Sequence, residues 1–167
     1  VAGKRITNAG LTKIGIGTLT LSGVNTYTGA SVIKSGTLKV NTSTTLSTSS
    51  SIMVGDTGSS NAILDATTAG LTVGSSQILA GIGKVFATGK TLTVSGTISP
   101  GDGGIGNLSI DGGSLTLDGS SKFAYTLGTS SDLVTSSTAW RSAVTALWVL
   151  PTSPSPLALA SVMGFTP

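Results

Sequence analysis

Residues 17–40 read GTLTLSGVNTYTGASVIKSGTLKV. The phrase GTLTL opens the stretch and GTLKV closes it nineteen residues later, a span too short to be a domain. Inside each phrase apolar and polar residues alternate: Leu19 with Leu21, then Leu38 with Val40. A period of two marks a strand with one face buried. The Gly, Ser, Asn and Thr between the phrases are residues that turn a chain. Short strands returning at this interval fit either a β-sandwich or a β-solenoid. A sandwich has no reason to repeat its own phrases, whereas a solenoid stacks each turn on the last and meets the same environment again.

The alternation continues outward from this stretch. Ile52/Val54, Leu71/Val73, Leu92/Val94, Leu108/Ile110, Leu115/Leu117 and the triplet Phe123/Tyr125/Leu127 repeat it, and helical spacing is absent before about residue 138. Counting each pattern as a turn predicts an open-ended solenoid of seven or eight rungs. A single rung orders some twenty residues yet buries only a handful of aliphatic side chains, so its conformational entropy outweighs its burial. Stacked rungs share hydrogen bonds and cover one another's core, and only together are they stable.

Composition narrows the chemistry. The 167 residues contain no Cys, no His and no Glu; the six acids are all Asp, and only 9% of residues are charged. With 38% apolar residues and a mean hydropathy of +0.39 the chain reads as a packed β-protein, not a disordered linker. The net charge of +3 is scattered, its one cluster being Lys4–Arg5, and aromatics are few. Nucleic acid is therefore not an expected partner. Without Cys there is no disulfide framework and no cysteine-based metal site. No signal peptide is visible, and the start without Met suggests a piece of a longer chain.

Several motifs invite a catalytic or binding reading and lack its context. GDGGIG at residues 101–106 matches a dinucleotide fingerprint, but a strand pattern follows where the pyrophosphate needs a helix N-terminus. GKVFATGKT at residues 83–91 has five residues between its glycines where a phosphate loop has four. A Ser-His-Asp triad is excluded by the lack of His, and nothing marks one Ser-Lys pair among many. Asp102, Asp111 and Asp118 are the carboxylates that stacked rungs could bring onto one face for polysaccharide cleavage. Two of them sit in DGG and DGS, which are ordinary turns, so no catalytic, cofactor or metal residue is assigned and the chain is read as a non-enzyme.

Residues 11–40 resemble the autotransporter-associated β-strand repeat, also called the passenger-associated transport repeat. The resemblance rests on Leu11, Lys13, Gly15, Gly17, Thr18, Leu19, Leu21, Gly23, Asn25, Thr26, Tyr27, Gly29, Ile33, Gly36, Thr37 and Leu38. Gly29-Ala30 stands where such repeats usually have two glycines. Residues 79–134 are similar to the segment that commonly follows these repeats, with its G-x-G rung, SPG turn, G-x-L-x-I strand and late Asp-Leu pair. The two stretches together make up about half the chain. The resemblance implies a right-handed parallel β-helix on the cell surface, or outside the cell, of a Gram-negative-type bacterium. It also implies a structural role: a stalk that assists its own export by folding progressively. The partners it implies are the rest of a longer parent chain, including an outer-membrane β-barrel translocator.

The repeat residues expected to carry that role are Gly17, Thr18, Leu19, Leu21, Gly23, Asn25, Tyr27, Gly29, Gly36, Thr37 and Leu38. Asn25 reads best as a side chain that bonds along a turn, and Tyr27 as a cap on the apolar core. The alternative function is adhesion or polysaccharide binding through a Thr/Ser/Asn-lined sheet face, with surface glycans as ligands. An Asp-dependent polysaccharide enzyme is the remaining alternative. The solenoid is expected over residues 1–137. Residues 138–167 hold both Trp and four of the five Pro and break the pattern. They read as a cap, a linker or the product of a frameshift.

Overall fold

The computed structural model describes residues 9–23, 25–137 and the backbone of 140–142. Lys4, Arg5 and most of the atypical segment 138–167 lie outside the described residues. Sixteen short strands, β1 to β16, make up three parallel sheets, and no helix occurs among the described residues. Sheet A runs β1 (Leu11–Lys13), β3 (Ser31–Ile33), β5 (Ser51–Val54), β8 (Ile78–Gly81), β11 (Thr97–Pro100), β14 (Lys122–Phe123). Sheet B runs β2 (Thr18–Leu21), β4 (Gly36–Val40), β6 (Ala62–Asp65), β9 (Lys84–Phe86), β12 (Asn107–Asp111), β15 (Leu133–Ser136). Sheet C holds β7 (Leu71–Val73), β10 (Thr91–Val94), β13 (Ser114–Leu117) and β16 (Trp140–Ser142).

From β5 onward the chain visits A, then B, then C, and returns to A one strand further along; the first two turns pass from A to B and back to A, and together they make a β-solenoid of about 5 turns. This is the expected parallel β-helix, with fewer rungs than the apolar patterns suggested. Leu108/Ile110 and Leu115/Leu117 belong to two sides of the same rung, in β12 and β13. Each pattern marks a strand, and two or three strands close one turn.

The repeated phrase is explained by register. Thr18, Leu19, Thr20 and Leu21 pair with Thr37, Leu38, Lys39 and Val40, so GTLTL and GTLKV are neighbours in sheet B. The column continues from Leu38 to Leu64, Val85 and Ile110, all fully buried. Leu71, Leu92 and Leu115 form the corresponding column in sheet C. A single slip of register would turn every one of these side chains outward, and that cost fixes the pairing. Leu19, at the outermost described rung, is 36% exposed although its register is correct.

Two buried polar side chains, Ser31 and Gln77, are paired inside the solenoid. Ser31 lies in the inward column of sheet A, next to Ile52, and its hydroxyl meets that of Ser49 at 2.7 Å. Turns 41–50 take the place of a sheet C strand in the second rung, and the buried Gln77 ties them to the third. Its amide nitrogen donates to Leu46 O at 2.8 Å and to Ser49 O, while its oxygen accepts from Gly74 N at 2.8 Å. Replacing Gln77 by Leu removes three hydrogen bonds to backbone, leaving the buried Ser49 O and the half-buried Gly74 N without this partner while Leu46 O keeps Ser49 N. The expected loss is about 2–3 kcal/mol, read as a lower denaturation midpoint at unchanged slope.

Candidate functional site: the repeat and the turns it builds

The repeat residues divide into two groups once placed. Leu38 is fully buried, Leu21 packs against the core, and Thr18 and Thr37 face outward as register partners. Gly36 has φ +68°, and a β-carbon there would fall 2.4 Å from Gly15 O and 2.6 Å from Gly17 O. Gly29 is as crowded, its would-be β-carbon 2.6 Å from Gly10 N. Gly17 and Gly23 face open space at ordinary φ. Glycine is therefore demanded where one rung's backbone presses on the next, and not at the other two positions.

Lys13 occupies an inward register position beside Ile33 and is 7% exposed. Its ammonium donates to Ile14 O at 2.9 Å, Gly15 O at 2.7 Å and Ser35 O at 3.0 Å. One cation thus fastens the first A–B corner to the second. The sequence presents Lys13 only as one letter of the repeat; a charge satisfied wholly by carbonyls leaves no trace in hydropathy.

Asn25 donates to Gly23 O at 3.2 Å and to Thr45 O of the next rung at 3.4 Å. It bonds across rungs to backbone, not to a stacked Asn. Thr48 answers from that rung, its hydroxyl donating to Asn25 O at 3.0 Å and Tyr27 O at 2.8 Å. Tyr27 packs against the core, and its buried hydroxyl has no hydrogen-bond partner. Burial holds this phenol above its ordinary ionisation value, and the Ser31 hydroxyl works in the opposite direction. At the other end Tyr125 stacks on Phe123 with ring centroids 5.6 Å apart. Burial first, and the charge of Asp132 second, push Tyr125 up to about 12.

Tyr27 and Tyr125 are the chain's two tyrosines, which makes a clean titration. In the native protein neither phenol ionises at the ordinary value of about 10, and Tyr125 follows only near 12. The fold favours the neutral form, so this stabilisation is complete below about pH 10 and disappears as pH rises through the folded value. Tyrosinate absorbance should rise late in the native protein and at the ordinary pH in denaturant.

The three carboxylates singled out in the sequence are not brought together. Asp102 follows β11 of sheet A, Asp111 ends β12 of sheet B and Asp118 follows β13 of sheet C, so they belong to different sides of one rung. Asp102 accepts from Thr57 N at 3.3 Å. Asp118 is held below the usual carboxylate range by the Ser95 hydroxyl, then by Ser120 N at 2.8 Å. Asp65 is raised by its partial burial, but Thr67 and Lys39 outweigh this and bring it below its ordinary value. Asp132, buried, accepts from Gly106 N at 2.7 Å and Thr126 N at 2.6 Å. These carboxylates act as turn braces.

Because Asp65 and Asp118 are lowered in the fold, their contribution is present above the unfolded value of about 3.9 and lost as pH falls through their folded values. Melting temperature should therefore fall on acidification below about pH 4, and Asp65→Asn should blunt that fall. No group of three or more acidic residues capable of holding a metal occurs among the described residues. The GDGGIG segment turns the chain between β11 and β12 and leads into a strand; residues 83–91 span β9, a turn and the start of β10.

Residues 11–40 match the family model of the passenger-associated-transport-repeat. Over 93 residues, 55% of this chain, the sequence is 37% identical to the adhesin BmaC autotransporter of Brucella suis biovar 1 (strain 1330). The chain spans about 3% of that adhesin's length. No solved structure matches the chain. The repeated phrase at residues 17–40 thus lies within the stretch that matches the passenger-associated-transport-repeat, and in this chain it supplies β2, β3 and β4 of the first two rungs of a parallel β-solenoid.

Proposed function

We propose that this chain is a structural segment of a secreted or surface-exposed autotransporter-type passenger, a stalk that assists its own export by folding rung upon rung. The observation that supports this reading most is the continuous inward column Leu38–Leu64–Val85–Ile110, in which each rung is covered by the next. A rung gains its core only when its neighbour is in place, so folding that begins outside the membrane opposes backward sliding of the chain. The role belongs to the aliphatic ladder and to the crowded glycines Gly29 and Gly36, with no catalytic residue. The partners of this reading are the rest of a longer parent chain and its outer-membrane β-barrel translocator.

The test is Leu92→Asp in the full parent chain, with the amount of passenger at the cell surface as readout. The reading expects less passenger outside, and that fraction sensitive to protease. An unfolded segment displayed in unchanged amount would overturn the export role and leave a passive stalk.

A further inference from the structure

Three of the six aspartates stand directly before a glycine: Asp102–Gly103, Asp111–Gly112 and Asp118–Gly119. This dipeptide carries a reaction of its own. The glycine amide nitrogen, which no side chain shields, attacks the aspartate side-chain carboxyl when that carboxyl is neutral and free to turn. The fold gives the three copies different surroundings. At Asp111 the peptide unit is pinned on both sides: Asp111 O accepts from Ala87 N at 3.0 Å, and Gly112 N donates to the Ser137 hydroxyl at 2.7 Å. A β-carbon at Gly112 would collide with the Thr88 hydroxyl, so the preceding rung presses on it as well. At Asp118 it is the carboxyl that is held. One oxygen accepts from the Ser95 hydroxyl, the other from Ser120 N at 2.8 Å and the Ser121 hydroxyl at 3.4 Å. The Ser95 hydroxyl first, then Ser120 N, keep this group ionised below the usual carboxylate range, and an ionised carboxylate does not give up its oxygen.

Asp102 has neither restraint. Asp102 and Gly103 are both exposed in the turn between β11 and β12. Among the described residues neither Asp102 O nor Gly103 N has a hydrogen-bond partner. The carboxylate has one, Thr57 N at 3.3 Å, and Thr57 belongs to another exposed turn. Nothing lies within 4 Å of the place a β-carbon on Gly103 would take. The side chain can therefore fold back onto its own peptide without meeting another part of the chain.

We infer that Asp102–Gly103 is a self-modification site at which aspartate becomes isoaspartate, and that the hydrogen bonds of the fold withhold the same reaction from Asp111 and Asp118. Gly103 N attacks the side-chain carboxyl carbon of Asp102. A carbon–nitrogen bond forms, the amide proton and the carboxyl hydroxyl leave as water, and a succinimide ring remains. Water then opens the ring. Attack at the side-chain carbonyl restores aspartate; attack at the main-chain carbonyl breaks that carbon–nitrogen bond and leaves the chain running through the former side chain. The product has a main chain one carbon longer in this turn and a free α-carboxylate, the group that isoaspartyl carboxyl methyltransferases esterify. Its carboxylate is withdrawn from Thr57 N, while the flanking strands β11 and β12 lie outside the altered peptide. This goes beyond the scaffold reading and does not rest on it.

The experiment ages the whole chain in warm neutral buffer, folded and in urea, and digests it with a lysine-specific protease. Lys90 and Lys122 release residues 91–122 as one peptide holding all three sites, and electron-transfer fragmentation places isoaspartate among them. In the folded chain isoaspartate should accumulate at Asp102 about thirtyfold faster than at Asp111, the equivalent of two net hydrogen bonds. In urea the three sites should rise together, since the dipeptide is the same. Ser137→Ala, which releases Gly112 N, should bring Asp111 closer to Asp102. A folded chain that keeps Asp102 unchanged while the unfolded chain converts would overturn the proposal. So would equal conversion at the three sites in the folded chain, a lead by Asp111 or Asp118, or indifference of Asp111 to Ser137→Ala. None of these outcomes touches the scaffold reading, which the export assay decides.

Discussion

Leu92→Asp leaves no folded solenoid. Leu92 is fully buried at the centre of sheet C, with Leu71 on one side and Leu115 on the other. A carboxylate there meets aliphatic carbon from both neighbouring rungs and has no cation to pair with. Its desolvation alone exceeds about 4 kcal/mol, a large part of what a domain this size has to lose. The same change at Leu19 is expected to cost about 1 kcal/mol or less, because that side chain lies at the outermost described rung and is 36% exposed. Circular dichroism and urea titration separate the two: loss of the β spectrum for Leu92→Asp, and a slightly lower midpoint for Leu19→Asp. Equal effects at both positions would mean that burial along the column is not graded as described.

Gly36→Ala is the second large effect, and it isolates backbone crowding from hydrophobicity. The added methyl group would sit 2.4 Å from Gly15 O, 2.6 Å from Gly17 O and 2.7 Å from Ile16 C, all main-chain atoms of the preceding rung. None of these can rotate away as a side chain would. The positive φ of +68° adds strain of its own. The expected destabilisation is about 3 kcal/mol or more, with rungs one and two parting first. Gly17→Ala and Gly23→Ala, from the same repeat, should shift stability by no more than about 0.5 kcal/mol, since nothing lies within contact distance. Melting curves of the three variants side by side provide the comparison.

These contrasts show where the sequence was legible. The alternation in GTLTL and GTLKV gave strand, register and parallel stacking together, because a period of two and a return of the same phrase are both written in the chain. The rung count was not legible: a strand and a rung look alike until the corners between sheets are known. Nor was the difference between Gly36 and Gly17, as both are one letter in a glycine-rich repeat, and only the path of the preceding rung tells them apart.

Polar residues were the least legible. Asp102, Asp111 and Asp118 are near one another in sequence and fall on three sides of one rung, since the chain turns a corner between each and the next. Lys13, Gln77 and Asp132 read as surface residues and are buried, each satisfied by main-chain atoms that no composition can foresee.

The register of the rungs tests the account most directly. The chain has no Cys, so pairs can be introduced without interference. Ile63 and Lys84 are outward partners on β6 and β9, whereas Ile63 and Phe86 are offset by two residues. Neighbouring strands lie about 4.8 Å apart, within disulfide reach, and the offset pair is about 8 Å apart, beyond it. The account predicts that Ile63→Cys with Lys84→Cys oxidises to a bridge in the folded protein while Ile63→Cys with Phe86→Cys stays reduced. A chain that bridges both pairs alike, or only the offset pair, would contradict the stacked parallel rungs on which everything above depends.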